Sequence, residues 1–174
     1  SNVRHGLLLV SNDDVVAPGG GFGSHPHRDM EIVTWVLRGE LEHRDSAGNH
    51  GVIYPGLAQR MSAGTGIHHS EVNRSSTEDV RLIQMWVLPD HTGVEPSYEQ
   101  ADVSEALGSG ELVAIASGQG HDTGVRIHQR DAVLWGARIQ PGAGVTVPDG
   151  GHVHVFAAVG GGELEGAGQL AEGD

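Results

Sequence analysis

The chain has 174 residues, ten Lys and Arg against 23 Asp and Glu, and a formal charge of -13, enough length for one large or two small domains with a buried core. The sign argues against direct binding of nucleic acid or an anionic membrane, and the absence of Cys excludes disulfides, thiolate metal sites and a cysteine nucleophile. No run approaches the ~18 apolar residues of a membrane span and no signal-peptide pattern opens the sequence, so a soluble, cytoplasmic protein with no membrane partner is expected.

Scarce aromatics and 28 Gly suit short strands and tight turns better than long helices. Gly6 to Val10 reads as a strand, with Ser11 to Asp14 and Pro18 to Gly23 as turn-rich segments leading to a His pair. Met30 to Leu37 is rich in β-branched residues, and Arg38-Gly39 introduces Glu40 to His43 as a hairpin return. Gly51 to Tyr54, Gln59 to Ser62 and Val80 to Leu88 continue as strands, with no sustained helical period. Pro89 to Ala106 reads as a linker with one helical turn. Strands are expected again at Leu112 to Ala116, Val125 to Gln129, Asp131 to Ile139 and Val153 to Val159.

The second half repeats part of the first. Pro18-Gly19 and Gly21 recur 123 residues later as Pro141-Gly142 and Gly144, and Gly39-Glu40-Leu41-Glu42 recurs at the same offset as Gly162-Glu163-Leu164-Glu165. One offset for both anchors points to a duplicated β unit, hence two related barrels. At that offset His25 falls on Pro148 and His27 on Gly150, while His152 and His154 fall on Asp29 and Glu31. The second unit is therefore expected to lack metal.

Twelve His is a rich supply for this length, and neutral His is the commonest metal ligand. His25-Pro26-His27 puts two imidazoles at i and i+2, on one face of an extended segment, and His69-Ser70-Glu71 repeats the spacing with a carboxylate. A lone His-x-His is more often surface decoration; two such pairs on neighbouring strands, each entered through a Gly-rich turn (Gly19 to Gly23 and Gly64-Thr65-Gly66), converge four ligands on one ion. Three imidazoles and a carboxylate suit Fe, Ni, Cu, Mn or Zn better than Ca or Mg. Glu31 has the parity of His25 and His27 and is an alternative carboxylate by spacing.

Gly19 through His25-Pro26-His27 to Glu31 resembles the first motif of the cupin superfamily, and Gly64-Thr65-Gly66 through His69 to Asn73 the end of the second. More specifically, His25-Pro26-His27-Arg28-Asp29-Met30-Glu31, Gly39 to Ser46 and Met61 to Ile67 resemble the pirin family of two-cupin proteins, as does Glu95-Pro96-Ser97-Tyr98-Glu99-Gln100 for the segment joining the cupins. The likeness is strong over residues 6 to 100. It implies an all-β fold of two tandem cupin (double-stranded β-helix, jelly-roll) barrels. The metal-binding barrel would occupy residues 1–100, with the linker from about 89, and a barrel without ligands residues 101–174. The second stops at Glu172-Gly173-Asp174, before its final strands, and is expected to be incomplete.

The resemblance further implies one metal, Fe(II) first and Ni, Cu, Mn, Co or Zn as alternatives, held by His25, His27, His69 and Glu71, with Glu31 beside the site. Pirin-like proteins resemble quercetin 2,3-dioxygenases. That activity would take a small aromatic substrate and O2, with Glu71 receiving the flavonol hydroxyl proton and loss of carbon monoxide. The alternative implied is an iron-dependent regulator that binds a transcription factor or a metabolic enzyme. His68 has outward parity; Arg28 and Asp29 are candidates to orient an imidazole, against a plain surface pair. Trp35, Trp86 and Trp135, with Met61, Ile67 and Phe22, are assigned to core packing, the last three with a pocket mouth as alternative. His43, His50, His91, His121 and His128 are assigned to solvated faces.

Overall fold

The computed structural model describes residues 4–174. In chain order it forms β1 (Leu8–Val16), β2 (Gly21–His27), β3 (Glu31–Arg38), β4 (Leu41–Asp45), β5 (His50–Ile53), β6 (Leu57–Ser62), β7 (Ile67–Asn73), β8 (Val80–Val87) and β9 (Ser97–Asp102). A single helical turn α1 (Ser104–Leu107) follows, then β10 (Val113–Ser117), β11 (Val125–Arg126), β12 (Val133–Gly136), β13 (Gly162–Leu164) and β14 (Gly168–Leu170). The first nine strands make two antiparallel sheets, ordered β1-β8-β3-β6-β9 and β2-β7-β4-β5, the two walls of a jelly-roll barrel.

Strand alternation decides what each wall presents. On β3, Ile32, Thr34 and Val36 point into the barrel, and on β8 Val80 and Leu82 do the same; the apolar ones among them join Val16, Leu41, Ile53, Met61, Ala63 and Ile67 in two buried clusters. The other face of the same sheet is buried too. Val33, Ala58, Ile83 and Met85 pack against Val103, Leu107, Val113, Ile115, Ala116, Val125 and Ile127 of the second half. A sheet buried on both faces reads as near-continuous apolar runs, which is the texture of Glu31–Arg38 and Val80–Val87.

Beyond β9, β10 pairs antiparallel with β12 and parallel with β11, and β13 pairs with β14 as a separate hairpin. These elements form no closed second barrel, in keeping with the incomplete cupin expected. The Pro-Gly turn of the repeat keeps its backbone conformation, with φ 69° at Gly19 and 81° at Gly142. The second anchor does not: Gly39 has φ 77°, but in the second half the positive φ falls at Gly160.

Four expectations need correction. Ser11 to Asp14 is not a turn but the middle of β1, held by pairing along β8 from Ser11↔Met85 to Asp14↔Leu82; its acidic residues tolerate an edge strand because Arg81 pairs with Asp13 at 2.6 Å. The supposed linker contains β9, which pairs with β6 from Leu57↔Asp102 to Ser62↔Ser97. Val153 to Val159 is not a strand, and Asp131 to Ile139 is extended only over Val133–Gly136. The apolar pattern there lacks a neighbouring strand to satisfy its backbone groups.

The core under β3, β6 and β8 is contributed by both halves, so Ile115→Ala is expected to cost about 2–5 kcal/mol and to lower one common urea transition. Two separable transitions, with the N-terminal one unmoved, would contradict the shared core.

Candidate metal centre

The site is built on one strand pair. Antiparallel pairing of β2 with β7 sets His25 opposite His69 and His27 opposite Ile67, with a bulge between Phe22 and His25. The extra residue on β2 lets Phe22 face the same side as His25 although three positions separate them, so that Phe22, 37% exposed, stands opposite Glu71 at the rim. Gly21 permits the approach: a Cβ there would lie 2.3 Å from the Glu71 carbonyl oxygen. Ring centroids are 4.5 Å apart for His25 and His69, 4.8 Å for His25 and His27, and 5.0 Å for His27 and His69.

Each of the three imidazoles offers one ring nitrogen to the same space, within 4.8 Å of the others. His25 Nδ1 lies 2.7 Å from the Gly23 carbonyl oxygen; an oxygen of that kind only accepts, so Nδ1 carries a hydrogen, and in the neutral form of the ring Nε2 keeps the lone pair. His69 Nε2 lies 3.0 Å from His25 Nε2. His27 Nε2 is buried with no hydrogen-bond partner among the described residues, an orphan that a native fold rarely keeps without a use for it. Trp86 closes the site edge-on against the His27 ring at 4.9 Å.

Burial and the neighbouring His25 push His27 from the ordinary 6.5 down to about 4, and burial, with help from His25, His43 and His27, pushes His69 down to about 3. Both rings therefore stay neutral across the physiological range, the form a metal requires. Burial also holds His43 below its usual value, against the opposing pull of Asp45.

Glu71 lies on the inward face of β7 with His69. One of its oxygens accepts from Thr34 Oγ1 at 3.2 Å and the other from Gln84 Nε2 at 2.7 Å. Complete burial raises its pKa, with these two bonds and His25 opposing. The tight cluster of ligand atoms, all within 4.8 Å of one another, contains His25, His27 and His69; Glu71 belongs to a second such cluster with His43 and His69. The carboxylate thus sits beside the three imidazoles with its oxygens engaged elsewhere.

Glu31 is placed away from the site. Its parity with His25 and His27 is lost at Asp29, where φ is 47° and the chain turns out of β2. On β3 it faces the second half, accepting from Ser62 Oγ at 2.8 Å and the His128 amide at 3.0 Å. The Asp29 carboxylate receives the Gly93 amide at 2.6 Å, and neither it nor the exposed Arg28 holds an imidazole. His68 points outward as expected, and Met61 and Ile67 are core. His152 and His154 lie at the surface near the His5 ring.

His43 corrects the sequence reading most. It is fully buried, contacts His69 and stacks on Tyr98 at 4.8 Å. Its signal was parity: on β4, Leu41, His43 and Asp45 alternate with Glu42 and Arg44. Thr34 and Gln84 were also legible, as polar residues on inward positions of apolar strands. Three imidazole nitrogens, that of His27 unsatisfied, beside a carboxylate are a donor set that suits a divalent transition metal, and the residues fit that group.

A jelly-roll barrel with histidines paired across two of its strands defines a cupin. Residues 2–87 match the Pirin family model, and the chain belongs to the pirin family. A Mycobacterium tuberculosis relative, provisionally named quercetin 2,3-dioxygenase, is 59% identical over 99% of this chain and 71% of its own length. The quercetin 2,3-dioxygenase of Escherichia coli K12 is 48% identical over 70% of this chain and 52% of its own. The crystal structure of the bacterial pirin YhhW from E. coli in complex with nickel(II) superposes with a TM-score of 0.65 at 45% identity, covering 71% of this chain and 52% of that one. The chain thus spans about half the length of these E. coli proteins.

The depressed His27 value carries a linkage consequence. The unfolded chain takes up this proton near pH 6.5 and the folded chain only near 4, so metal-free stability is lost as the pH falls through that window. The drop in urea midpoint from pH 7 to pH 5 is expected to shrink in His27→Asn; an equal drop would contradict the assignment.

Proposed function

We propose that His25, His27, His69 and Glu71 hold one divalent transition metal in the N-terminal barrel. In the cell this would be Fe(II), in the reducing cytoplasm, with the residues after β9 supplying no ligand. We further infer a metal-dependent dioxygenase acting on a flavonol such as quercetin. The observation that carries the reading is the convergence of one nitrogen from each of three imidazoles, with His27 Nε2 buried and without a partner among the described residues. The names of the mycobacterial and E. coli relatives support the activity, and the nickel complex of the E. coli pirin supports a divalent metal.

When bound, such a metal supplies Lewis acidity toward the flavonol 3-hydroxyl and a fixed geometry for it. The protein's own part is to orient and to exclude water. His25 and His27 are half-buried and leave the site open on the β2 side, where Phe22 offers an apolar edge to a ring. Trp86, Met30 and Ile67 close the opposite side. Glu71 is the group that accepts the hydroxyl proton, on an oxygen that Thr34 or Gln84 now occupies. Gln84 is itself held, its Oε1 accepting from Trp86 Nε1 at 3.1 Å.

Elemental analysis and loss of quercetin absorbance under air test the proposal together. About one equivalent of metal per chain is expected, with turnover in the iron-loaded protein. His69→Ala is expected to lose nearly all metal and all turnover, and Glu31→Gln to keep both. No turnover with Fe, Ni, Co, Cu or Mn bound would overturn the dioxygenase; metal retained in His69→Ala would overturn the site.

A further inference from the structure

His43 and Asp45 stand in line behind His69, His43 touching the His69 ring and Asp45 touching His43, and neither is among the proposed ligands. We propose that they form a positioning relay that fixes His69 in the tautomer able to ligate; the inference rests on the metal reading above and extends it to residues that do not touch the metal.

The chain of contacts has one polarity. Asp45 is held by the turn that follows β4: its Oδ1 accepts from the Ala47 amide at 3.0 Å and the Asn49 amide at 2.9 Å, and its Oδ2 from Asn49 Nδ2 at 2.9 Å. Burial raises the pKa of this carboxyl, but the Asn49 and His43 contacts together outweigh it and hold the group below its usual range. It is an acceptor only. His43 Nε2, 3.2 Å from Asp45 Oδ2, therefore carries the hydrogen, which leaves a lone pair on His43 Nδ1. That atom faces His69 Nδ1 at 3.4 Å. With no cation between them two lone pairs do not share such a contact, so His69 Nδ1 donates; His69 Nε2 is left with a lone pair facing that of His25 Nε2 at 3.0 Å, an opposition that a shared cation relieves.

Rotation of His43 would break the polarity, and the surroundings prevent it. The side chains of His43 and Asp45 are both fully buried. Tyr98 stacks on the His43 ring with an interplanar angle of 29° and is tied by its hydroxyl to Gln59 Oε1 at 3.0 Å. His25 reaches the same tautomer by a shorter route, through the Gly23 carbonyl. A carboxylate or carbonyl behind a metal-bound imidazole is the usual device for this, and its loss lowers metal affinity about 10–100-fold; here a second imidazole is interposed between carboxylate and ligand.

Nitrogen-15 NMR of the metal-free chain and nickel(II) titration test the relay. The wild type should show His69 protonated on Nδ1 and His43 on Nε2, and bind one equivalent of nickel. His43→Phe, which keeps the stacking and removes the acceptor, should leave His69 as a mixture of tautomers and weaken nickel binding roughly 10–100-fold. His43→Gln, whose amide oxygen can accept from His69, should recover most of that loss. Wild-type affinity in a folded His43→Phe, or two equivalents of nickel in the wild type, would overturn the relay. Should His43→Phe not fold, the wild-type spectrum decides, since His69 protonated on Nε2 overturns it alone. A chain that binds no nickel removes the metal reading and the relay with it, whereas one equivalent bound with indifference to His43→Phe removes only the relay.

Discussion

Antiparallel pairing of β2 with β7 brings His25 directly against His69, and the chemistry of the barrel follows from that register. A slip of one residue would send His25 and His27 to the outer face and replace them with Ser24 and Pro26. The register is pinned at the start of β2, by Gly21 against the Glu71 backbone and by the bulge after Phe22. Three imidazoles crowded into a half-buried space would repel one another if charged, which is why burial and mutual proximity keep His27 and His69 neutral.

The five-stranded sheet does two things at once. Its inner face contributes Thr34 and Gln84, which hold the Glu71 carboxylate, and the apolar floor of Ile32 and Leu82. Its outer face carries Val33, Ile83 and Met85 into a core shared with the second half. Glu31 and Arg60 work on that outer side: Glu31 takes the His128 amide, and Arg60 reaches the Arg126 carbonyl at 2.7 Å and Glu99 at 2.9 Å. The second half, which supplies no member of the histidine cluster, thereby braces the wall on which the Glu71 supports stand.

Much of this was readable from residue order. His25, His27, His69 and Glu71 are candidates by i, i+2 spacing, which survives because β2 and β7 are extended throughout those pairs, with Glu71 preferred to Glu31 on the family resemblance. Spacing leaves Glu31 open because parity holds only within one strand, and Asp29 intervenes with a positive φ. His43 and Asp45 share the i, i+2 spacing of His69 and Glu71, but their place in a charged stretch, Glu40 to Asp45, reads as a solvated face, and the covering of the His43 ring depends on Tyr98 arriving from β9, a strand hidden in a Pro-bearing stretch. Val153 to Val159 differs for another reason: its apolar residues suggest a strand, but strand formation is a property of ladders, and the bonds of Ala157 with Gly173 and Asp174 are too local to make one.

Extended X-ray absorption at the nickel edge, on the chain loaded with one equivalent, bears most directly on the centre. Three imidazoles and one carboxylate oxygen are expected in the metal's coordination shell, with one imidazole lost in His27→Asn and the carboxylate lost in Glu71→Ala. A spectrum with fewer than three imidazoles, or one unchanged by either substitution, would contradict a centre built on the pairing of β2 with β7.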